Sequence, residues 1–583
     1  MRSFFKIFFA SLLSTIVFSL VVLFLLVAFV SRFASKEKPV VAEKSVLVLE
    51  LGKHFLERKQ TTPLSSFSEE GDNPGLFDVV RLIQHAKTDQ AISGIYIEAD
   101  RNANGFAASN ELRNALQDFK SSKKIVIAHG DLMSQQAYFV ANTADKIYVN
   151  PSGQFDWFGY SVTLPFLKGL LDKLDIKAQI FYAGKFKSAT EIFRTDKMTP
   201  ENRLQTIEWL GDMYNYFLVQ SARARNLDTA TLHQLANTAS IQTPQDAVAH
   251  KLIDGVKYDD QVKEEIKNKL ALGKYEKLHL VSVNTYNEAV NLRKGGSNRI
   301  AVIYAQGDIV DGMGSNENIG GDNFRRIIRR ARLDKSVKAI VLRVNSGGGS
   351  ALASENIWRE LQVAKADGKP VVVSFGDVAA SGGYYIACGA DSIFANPNTI
   401  TGSIGVFGII PNMESFFKNK LGVTFDAVKT APYADAGGVF RPLSEAEQKM
   451  VQSSVDRIYL QFKQRVAQGR KKEIGYIDSI AQGRVWSGED ALRLGLVDRM
   501  GNLQDAIDCA ARLAKAESYG LKEYPESENW LNEILGKKKT EPAALIRQQI
   551  GEDNYRVYQQ LVKIKEMTGS VQARMPFEIL TRQ

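Results

Sequence analysis

The stretch Ala144–Pro151 reads ADKIYVNP, and 246 residues later Ala390–Pro397 reads ADSIFANP. A similar spacing links two apolar runs upstream, GIYIEAD at Gly94–Asp100 and AIVLRVN at Ala339–Asn345. Other matched segments keep the offset between 244 and 247. Chance similarity between apolar strands is common, but a nearly constant offset over several segments is not. The 583-residue chain therefore contains two tandem copies of one module.

Each copy alternates short β-branched runs with helical stretches. KIVIAHG at Lys124–Gly130 and PVVVSFG at Pro370–Gly376 predict equivalent strands. Helices are predicted just before them, at Ser109–Lys120 and Ser354–Ala366. This alternation is typical of βαβ units around a parallel sheet. The sequence thus predicts the α/β class, with tandem duplicated domains.

The N-terminus is predicted to be a membrane anchor. Ile7–Val30 contains 24 residues and no charge, whereas about 20 apolar residues cross a bilayer. A cleaved signal peptide usually has a shorter apolar region of about 7–15 residues, which favours an uncleaved helix. Basic residues flank both ends, so charge leaves the orientation open. The predicted organisation is a cytoplasmic stub, anchor and linker at 1–45, repeats at 46–295 and 296–515, and a helical tail at 516–583.

Composition excludes several classes of protein. The chain is 44% hydrophobic and 24% charged, which is ordinary for a globular protein. Its net charge of +9 is weak evidence for nucleic-acid binding. The chain has only two cysteines, which argues against a disulfide framework. It has no HExxH motif and no GxxxxGK[ST] motif, which argues against a metal site and an ATP site. No histidine follows His279, so catalysis in the second copy needs another base.

The second copy has two glycine-rich corners between a strand and a helix, NSGGGS at Asn345–Ser350 and AASGGY at Ala379–Tyr384. Glycines let backbone N–H groups approach a ligand closely. Ser381 is therefore a candidate nucleophile beside an oxyanion hole. The candidate donors of that hole are the N–H groups of Gly348, Gly349 and Gly382. The alternative is that Ser381 only caps a helix and the glycines only form a tight turn.

The first copy lacks these residues. Gln135 stands where Ser381 is expected, and the triple glycine is replaced by NANG at Asn102–Gly105. A turn needed only for folding should survive in both copies. The difference therefore favours a functional site in the second copy.

The first copy keeps a lysine that the second lacks. Lys187 lies in YAGKFKSAT, and the alignment places Ala434 opposite it. A solvated lysine has a pKa near 10.4, but burial beside groups such as Phe186 lowers it. A neutral Lys187 amine is then able to take the proton of Ser381 as general base. The alternative for Lys187 is an ordinary surface lysine.

Five motifs in order behind the anchor resemble the signal peptide peptidase A family in its long, tandem-repeat form. They are GKFKSA around Lys187, VNSGGGS at Val344–Ser350, DVAASGGYYIA at Asp377–Ala387, NPNTITGSIGVFG at Asn396–Gly408 and GRVWSGEDALRLGLVD at Gly483–Asp498.

The resemblance implies a serine endopeptidase with the crotonase-like and Clp-protease-like superhelix of βαβ units. It implies Ser381 as nucleophile, Lys187 as base and Ser403 as a residue that orients the lysine amine. It further implies a homo-oligomer, expected to be a tetramer, in the bacterial inner membrane, with the catalytic part on the periplasmic side. The implied substrates are hydrophobic remnant signal peptides, and no cofactor, metal or ATP is implied. Gly347 stands where the family often has proline, and we expect no loss of activity from this.

Two other functions remain open at the level of sequence. Crotonase-type acyl-CoA hydratases and isomerases use the same oxyanion corner on thioesters. Such enzymes require catalytic carboxylates. Neither a membrane anchor nor a serine at position 381 would have a role in their reaction. An inert membrane scaffold is the second alternative, and the intact Ser381 and Lys187 argue against it.

Overall fold

The computed structural model describes residues 2–34, 38–58, 73–290, 292, 296–315, 317–526 and 570–575. Helix α1 spans Arg2–Ala34, and its segment Phe4–Val22 is long and apolar enough to cross a membrane. The side chains described in that segment are exposed rather than packed against the rest of the chain. A helix of sufficient length and apolar composition thus lies where the sequence predicts the anchor.

The first repeat alternates strands and helices. Its strands are β1 (Ser45–Glu50), β2 (Ile92–Glu98), β3 (Ile125–Met133), β4 (Lys146–Phe155), β5 (Lys177–Ala183), β6 (Gly255–Val256) and β7 (Leu280–Ser282). Its helices are α2 (Leu76–Thr88), α3 (Phe106–Lys120), α4 (Gln135–Ala141), α5 (Lys168–Lys173), α6 (Glu191–Arg194), α7 (Pro200–Arg225), α8 (Thr229–Asn237), α9 (Pro244–Ala249), α10 (Asp259–Lys269) and α11 (Val283–Ala289).

The second repeat follows the same plan. Its strands are β8 (Arg299–Gln306), β9 (Ile309–Val310), β10 (Ile319–Gly320), β11 (Val337–Ser346), β12 (Gly348–Ser350), β13 (Val371–Ala380), β14 (Ser392–Ala395), β15 (Ile400–Gly402), β16 (Val406–Asn412), β17 (Val485–Ser487), β18 (Arg499–Met500) and β19 (Gly520–Tyr524). Its helices are α12 (Gly321–Leu333), α13 (Ala351–Ala366), α14 (Gly382–Ala387), α15 (Glu414–Phe416), α16 (Glu445–Arg470), α17 (Ile474–Ile480), α18 (Gly488–Arg493) and α19 (Leu503–Leu513). A last strand, β20, spans Gln572–Arg574.

Each repeat forms its own largely parallel sheet. The first sheet has the order β6-β4-β3-β2-β1-β7, and the second has β17-β15-β13-β11-β8-β19 with β14 and β18 beside β13. The central strands β11 and β13 are buried along most of their length because their Val and Ile side chains meet packed helices on both faces. The predicted α/β class and the tandem duplication are confirmed.

A third, mixed sheet joins the two repeats. Its order is β10-β9-β12-β20-β16-β5, so β5 of the first repeat lies beside β16 of the second. These two strands pair antiparallel from Val406 with Ala183 to Asn412 with Lys177. This pairing brings the chain that follows β5 next to the second repeat.

The prediction of a helical tail is wrong where the structure describes it. Gly520–Tyr524 is a strand that pairs with β8 and extends the second sheet. Gln572–Arg574 is a strand of the mixed sheet. Long-range pairing determines both, and short polar stretches such as QAR carry no local strand signal. The rest of the predicted tail lies outside the described residues.

Candidate active site

Ser381 occupies a strained corner between β13 and α14. Its φ of 55° and ψ of −113° lie outside the regions that residues with a side chain normally adopt. Its N–H donates to Gly402 O over 2.8 Å, and its carbonyl accepts from the Tyr385 N–H over 2.8 Å. Its side chain makes no helix-capping hydrogen bond. The alternative of a simple capping serine is therefore wrong.

Lys187 lies in the loop that follows β5, and this loop is fixed by the second repeat. The Phe186 N–H donates to Gln482 O over 2.8 Å. Gln205 of α7 donates from Nε2 to Phe186 O at 3.1 Å and to Ser188 Oγ at 2.9 Å. Clamped from both sides, the loop holds the backbone of Lys187 in one position.

The amine of Lys187 meets the hydroxyl of Ser381. The distance from Nζ to Ser381 Oγ is 2.9 Å within a single chain. Nζ also lies 3.1 Å from Ser403 Oγ and 3.3 Å from Ser403 O. Only 1% of the lysine surface is exposed, so it is not the surface lysine of the alternative interpretation. The structure thus brings Ser381, Lys187 and Ser403 together.

Burial lowers the pKa of Lys187 well below its ordinary value. The neutral amine has two N–H donors and one lone pair. In that neutral form, the two oxygens of Ser403 are within reach to accept both donors, and the lone pair is then available to the Ser381 hydroxyl. The Ser403 hydroxyl lies 3.4 Å from Gly483 O and can donate to it while accepting from the amine.

The predicted oxyanion donors lie at two adjoining corners. The N of Gly382 is 2.6 Å from the position of a Cβ built on Gly348, so no side chain fits between the corners. Gly348 and Gly349 have φ values of 97° and 155°, which favour glycine. The Gly348 N–H donates to Ser346 Oγ over 3.1 Å, so it is already engaged. Gly349 and Gly382 are therefore the better donors of the three.

The corresponding corner of the first copy is closed. Gln135 Oε1 accepts from the N–H groups of Phe158 and Gly159, at 3.0 and 3.1 Å. In place of the triple glycine, Asn102 Oδ1 accepts from the Asn104 N–H over 3.0 Å. The Asn102 side chain therefore satisfies a backbone N–H of this corner, and the Gln135 side chain is bonded to two N–H groups of a different segment.

A buried ionic network holds the two repeats together. Arg343 of β11 contacts Glu57 and Glu111 of the first repeat, each over 2.8 Å, and is 1% exposed. Asp377 accepts from the N–H groups of Ala107 and Ala108 at the start of α3. Breaking such pairs would leave uncompensated buried charge, so they fix the relative position of the repeats.

Several supporting residues have no signal in the sequence. Gln205 clamps the lysine loop, and Ser346 engages the glycine corner. Their contacts depend on segments far apart in the chain, and periodicity cannot reveal them. Within the described ranges, no group of three or more His, Cys, Asp or Glu side chains is arranged to hold a metal ion.

Comparison with known proteins supports a serine-type peptidase and identifies its family. The model of Peptidase family S49 matches residues 117–273 and 363–517, one segment in each repeat. The chain belongs to Peptidase family S49.

Curated relatives match most of the chain. "Protease 4" of Salmonella typhi is 39% identical over 470 residues, 79% of this chain and 75% of that protein. "Protease 4" of Haemophilus influenzae is 37% identical over 75% of this chain and 72% of that protein. "Serine protease SPPA, chloroplastic" of Arabidopsis thaliana is 31% identical over 74% of this chain and 64% of that protein.

Proposed function

We propose that this chain is a membrane-anchored endopeptidase that degrades remnant signal peptides with a Ser381–Lys187 dyad. The observation that carries the proposal is the 2.9 Å contact between the Lys187 amine and the Ser381 hydroxyl, both fully buried. Membership of Peptidase family S49 supports peptide-bond hydrolysis as the reaction.

Lys187 acts as the general base in the first step. Its lone pair takes the proton of Ser381 as Oγ attacks the carbonyl carbon of the scissile bond. The N–H groups of Gly349 and Gly382 stabilise the negative charge that develops on the carbonyl oxygen. The lysine ammonium then gives its proton to the leaving amine, and the C–N bond breaks to leave an acyl-serine.

Water completes the cycle by the same route. Lys187 takes a proton from water, hydroxide adds to the acyl carbon, and the proton returns to Ser381 Oγ as the ester bond breaks. Ser403 acts as a positioning residue, because its two oxygens hold the amine with the lone pair directed at Ser381. No cofactor, metal or ATP takes part in this scheme.

The N-terminal helix supports a membrane location for the substrate. In this proposal the apolar segment Phe4–Val22 anchors the chain in membrane lipid. The family resemblance supports the bacterial inner membrane as its location, with the repeats on the periplasmic side. Signal peptides are themselves apolar, and an anchored enzyme meets them at the bilayer surface. The family resemblance supports assembly as a homotetramer, which sedimentation of the detergent-solubilised chain tests.

The proposal is tested by cleavage of a synthetic signal-peptide fragment. Ser381→Ala and Lys187→Ala should each abolish cleavage while thermal unfolding shows a folded chain. A fluorophosphonate probe followed by mass mapping should label Ser381 in the wild type and label it far more slowly in Lys187→Ala. Near-normal cleavage by Lys187→Ala would contradict the dyad.

The same variants separate the alternative functions. An acyl-CoA hydratase would bind an acyl-CoA tightly and would keep its activity in Ser381→Ala. An inert scaffold would leave both the peptide and the probe unreacted. Labelling of Ser381 with cleavage of the peptide excludes both alternatives.

A further inference from the structure

The fully buried side chain of Gln205, on α7, joins the lysine loop to the second repeat. Its Nε2 donates to Phe186 O over 3.1 Å and to Ser188 Oγ over 2.9 Å, and these two residues flank Lys187. Its Oε1 accepts from the Val485 N–H of β17 over 3.1 Å. One amide therefore bonds to the lysine loop at one end and to a strand of the second repeat at the other.

The partners of Gln205 fix the orientation of its amide. The carbonyl of Phe186 can only accept a hydrogen bond, and the backbone N–H of Val485 can only donate one. An amide turned over would place acceptor against acceptor and donor against donor. Buried polar groups without a partner are costly, so the amide is held in this one orientation.

The bond to β17 satisfies the edge of the second sheet. Strand β17 ends that sheet and pairs antiparallel with β15, Gly402 opposite Val485. At the next position, the Ser403 N–H donates to Arg484 O over 2.7 Å. Bonded and non-bonded pairs alternate along an antiparallel ladder, so the Val485 N–H points away from β15. Gln205 supplies the acceptor that this N–H lacks within the sheet.

The strand β15 and the residue after it hold the other members of the site. Gly402 O accepts from the Ser381 N–H over 2.8 Å. Ser403, the next residue, has its two oxygens 3.1 and 3.3 Å from the Lys187 amine. Gln205 is thus bonded to the loop that carries the base, and to the strand pair that positions Ser381 and Ser403.

A buried polar network holds the Gln205 side chain from behind. Its Nε2 also lies 3.2 Å from Asn202 Oδ1, one turn earlier on α7. Asn202 Nδ2 donates to Glu191 Oε2 over 2.9 Å, and Glu191 also accepts from the N–H and the hydroxyl of Thr199. Asn202 and Glu191 are both buried. The conformation of Gln205 is therefore set by α6 and the first turns of α7 as well as by the lysine loop.

We propose that Gln205 is a positioning residue for the dyad, and that it holds the Lys187 amine at the distance and burial needed for proton transfer from Ser381. This proposal rests on the proposed peptidase function and adds a residue to it. The bonds of Gln205 go to the residues on either side of Lys187, so it acts on the amine through the loop. A displacement of about 1 Å between reacting groups can cost 10²-fold in rate.

The test removes the amide and keeps a side chain of similar length. In Gln205→Met, we expect kcat for the signal-peptide fragment to fall by about tenfold to 100-fold. KM should stay within about twofold, because a fully buried side chain does not contact the substrate. The midpoint of the pH profile of kcat should move up. A loosened loop lets water reach the Lys187 amine, and its pKa then returns toward the ordinary value.

Gln135→Met is the matched control. Gln135 is a buried glutamine of the same repeat, and its Oε1 accepts from two backbone N–H groups. This variant should lower thermal stability and leave kcat and the pH midpoint unchanged. Both variants retain the charged side chains on the elements around Gln205, among them Lys185, Glu191, Arg194, Glu208, Asp212 and Arg484. A shifted midpoint therefore reports the burial of the lysine amine.

A second variant acts on the same network more gently. Asn202→Ala removes one acceptor from Gln205 Nε2 and should lower kcat by about twofold to fivefold. The pH midpoint should move in the same direction as in Gln205→Met. If thermal unfolding shows that Gln205→Met is not folded, Asn202→Ala decides the question.

Other results would overturn the proposal. Wild-type values of kcat and of the pH midpoint in folded Gln205→Met, with cleavage still dependent on Ser381, would contradict the positioning role while sparing the peptidase function. The same holds for Asn202→Ala where it is the deciding variant. A raised KM with unchanged kcat would also contradict the role. Failure of Ser381→Ala to stop cleavage would instead contradict the proposed function.

Discussion

The two copies of the module place a serine at the same corner, yet the two side chains do different things. Ser134 precedes α4 with an ordinary φ of −70°, and its side chain accepts from the Ala137 N–H as a helix cap. Ser381 precedes α14 with a φ of 55°, makes no cap bond and meets Lys187 instead. When the C-terminal ends of the two helices are aligned, α4 begins one residue earlier than α14. The residue before α4 is therefore Ser134, and Gln135 is aligned with Ser381. The turn before the helix is therefore part of the fold in both copies. Only its strained form in the second copy directs a serine hydroxyl at the Lys187 amine.

The largest expected effect comes from removing each serine in turn. Ser381→Ala should lower kcat/KM by about 10⁴-fold or more because it removes the proposed nucleophile beside the Lys187 amine. Ser134→Ala should leave cleavage intact and destabilise the chain by about 1 kcal/mol through loss of a cap. Cleavage assays and thermal unfolding of both variants check this. An activity loss in Ser134→Ala as large as that in Ser381→Ala would contradict the division of roles.

Replacing the base should be nearly as severe, and its pH dependence is diagnostic. Lys187→Met should lower kcat/KM by about 10²- to 10⁴-fold. In the wild type, activity should rise with pH as Lys187 loses its proton, with a midpoint well below 10.5 because burial lowers its pKa. A flat profile for kcat/KM would count against Lys187 as base.

The same pKa shift has a consequence for stability. Between the lowered pKa of the folded state and about 10.5, the unfolded chain binds one more proton at Lys187 than the folded chain does. The free energy of unfolding should therefore rise with pH through that window, by about 1.4 kcal/mol per pH unit, and level off above it. Lys187→Met lacks this dependence and should unfold at a higher temperature than the wild type at neutral pH. Parallel pH slopes in the two proteins would contradict a buried neutral amine.

A smaller effect is expected where the second copy has a glycine and the first an alanine. At an offset of 244, Ala239 is the counterpart of Gly483, and it adopts a φ of 48°. A Cβ on Gly483 would lie 2.7 Å from the Cβ of Lys187. Gly483→Ala should therefore displace the lysine and lower kcat by about tenfold to 100-fold. Gly495→Ala, with a similar φ of 73°, carries the same backbone cost and should leave kcat unchanged.

The smallest expected effect concerns the residue that holds the amine. Ser403→Ala removes one acceptor from Nζ and should lower kcat by about tenfold. Loss of an acceptor disfavours the ammonium more than the neutral amine, so the pH midpoint of activity should move down. Ser403→Thr keeps a hydroxyl and should restore both values in part. A midpoint that stays in place in Ser403→Ala would show that Ser403 has only a structural role.

Local patterns predicted the repeated parts of the fold well. The apolar runs that became β2 and β11 stand out at a constant spacing, and buried parallel strands are rich in such residues. The pairing of β5 with β16 and the position of β20 could not be predicted, because they join segments hundreds of residues apart. Ser381 was indicated by the contrast between copies. Lys187 alone was a weak candidate, because a surface lysine is the ordinary explanation, and its pairing with the serine came from what each copy keeps and lacks.

Each repeat supplies one residue of the proposed dyad, and the two repeats are synthesised one after the other. Lys187 leaves the ribosome long before Ser381, and the loop that carries it is fixed by residues near 482. A nascent chain with only its first half folded therefore has the Lys187 amine without the Ser381 hydroxyl, and its lysine loop lacks the contact with Gln482. In the proposed mechanism, cleavage therefore begins only when the second half has docked onto the first.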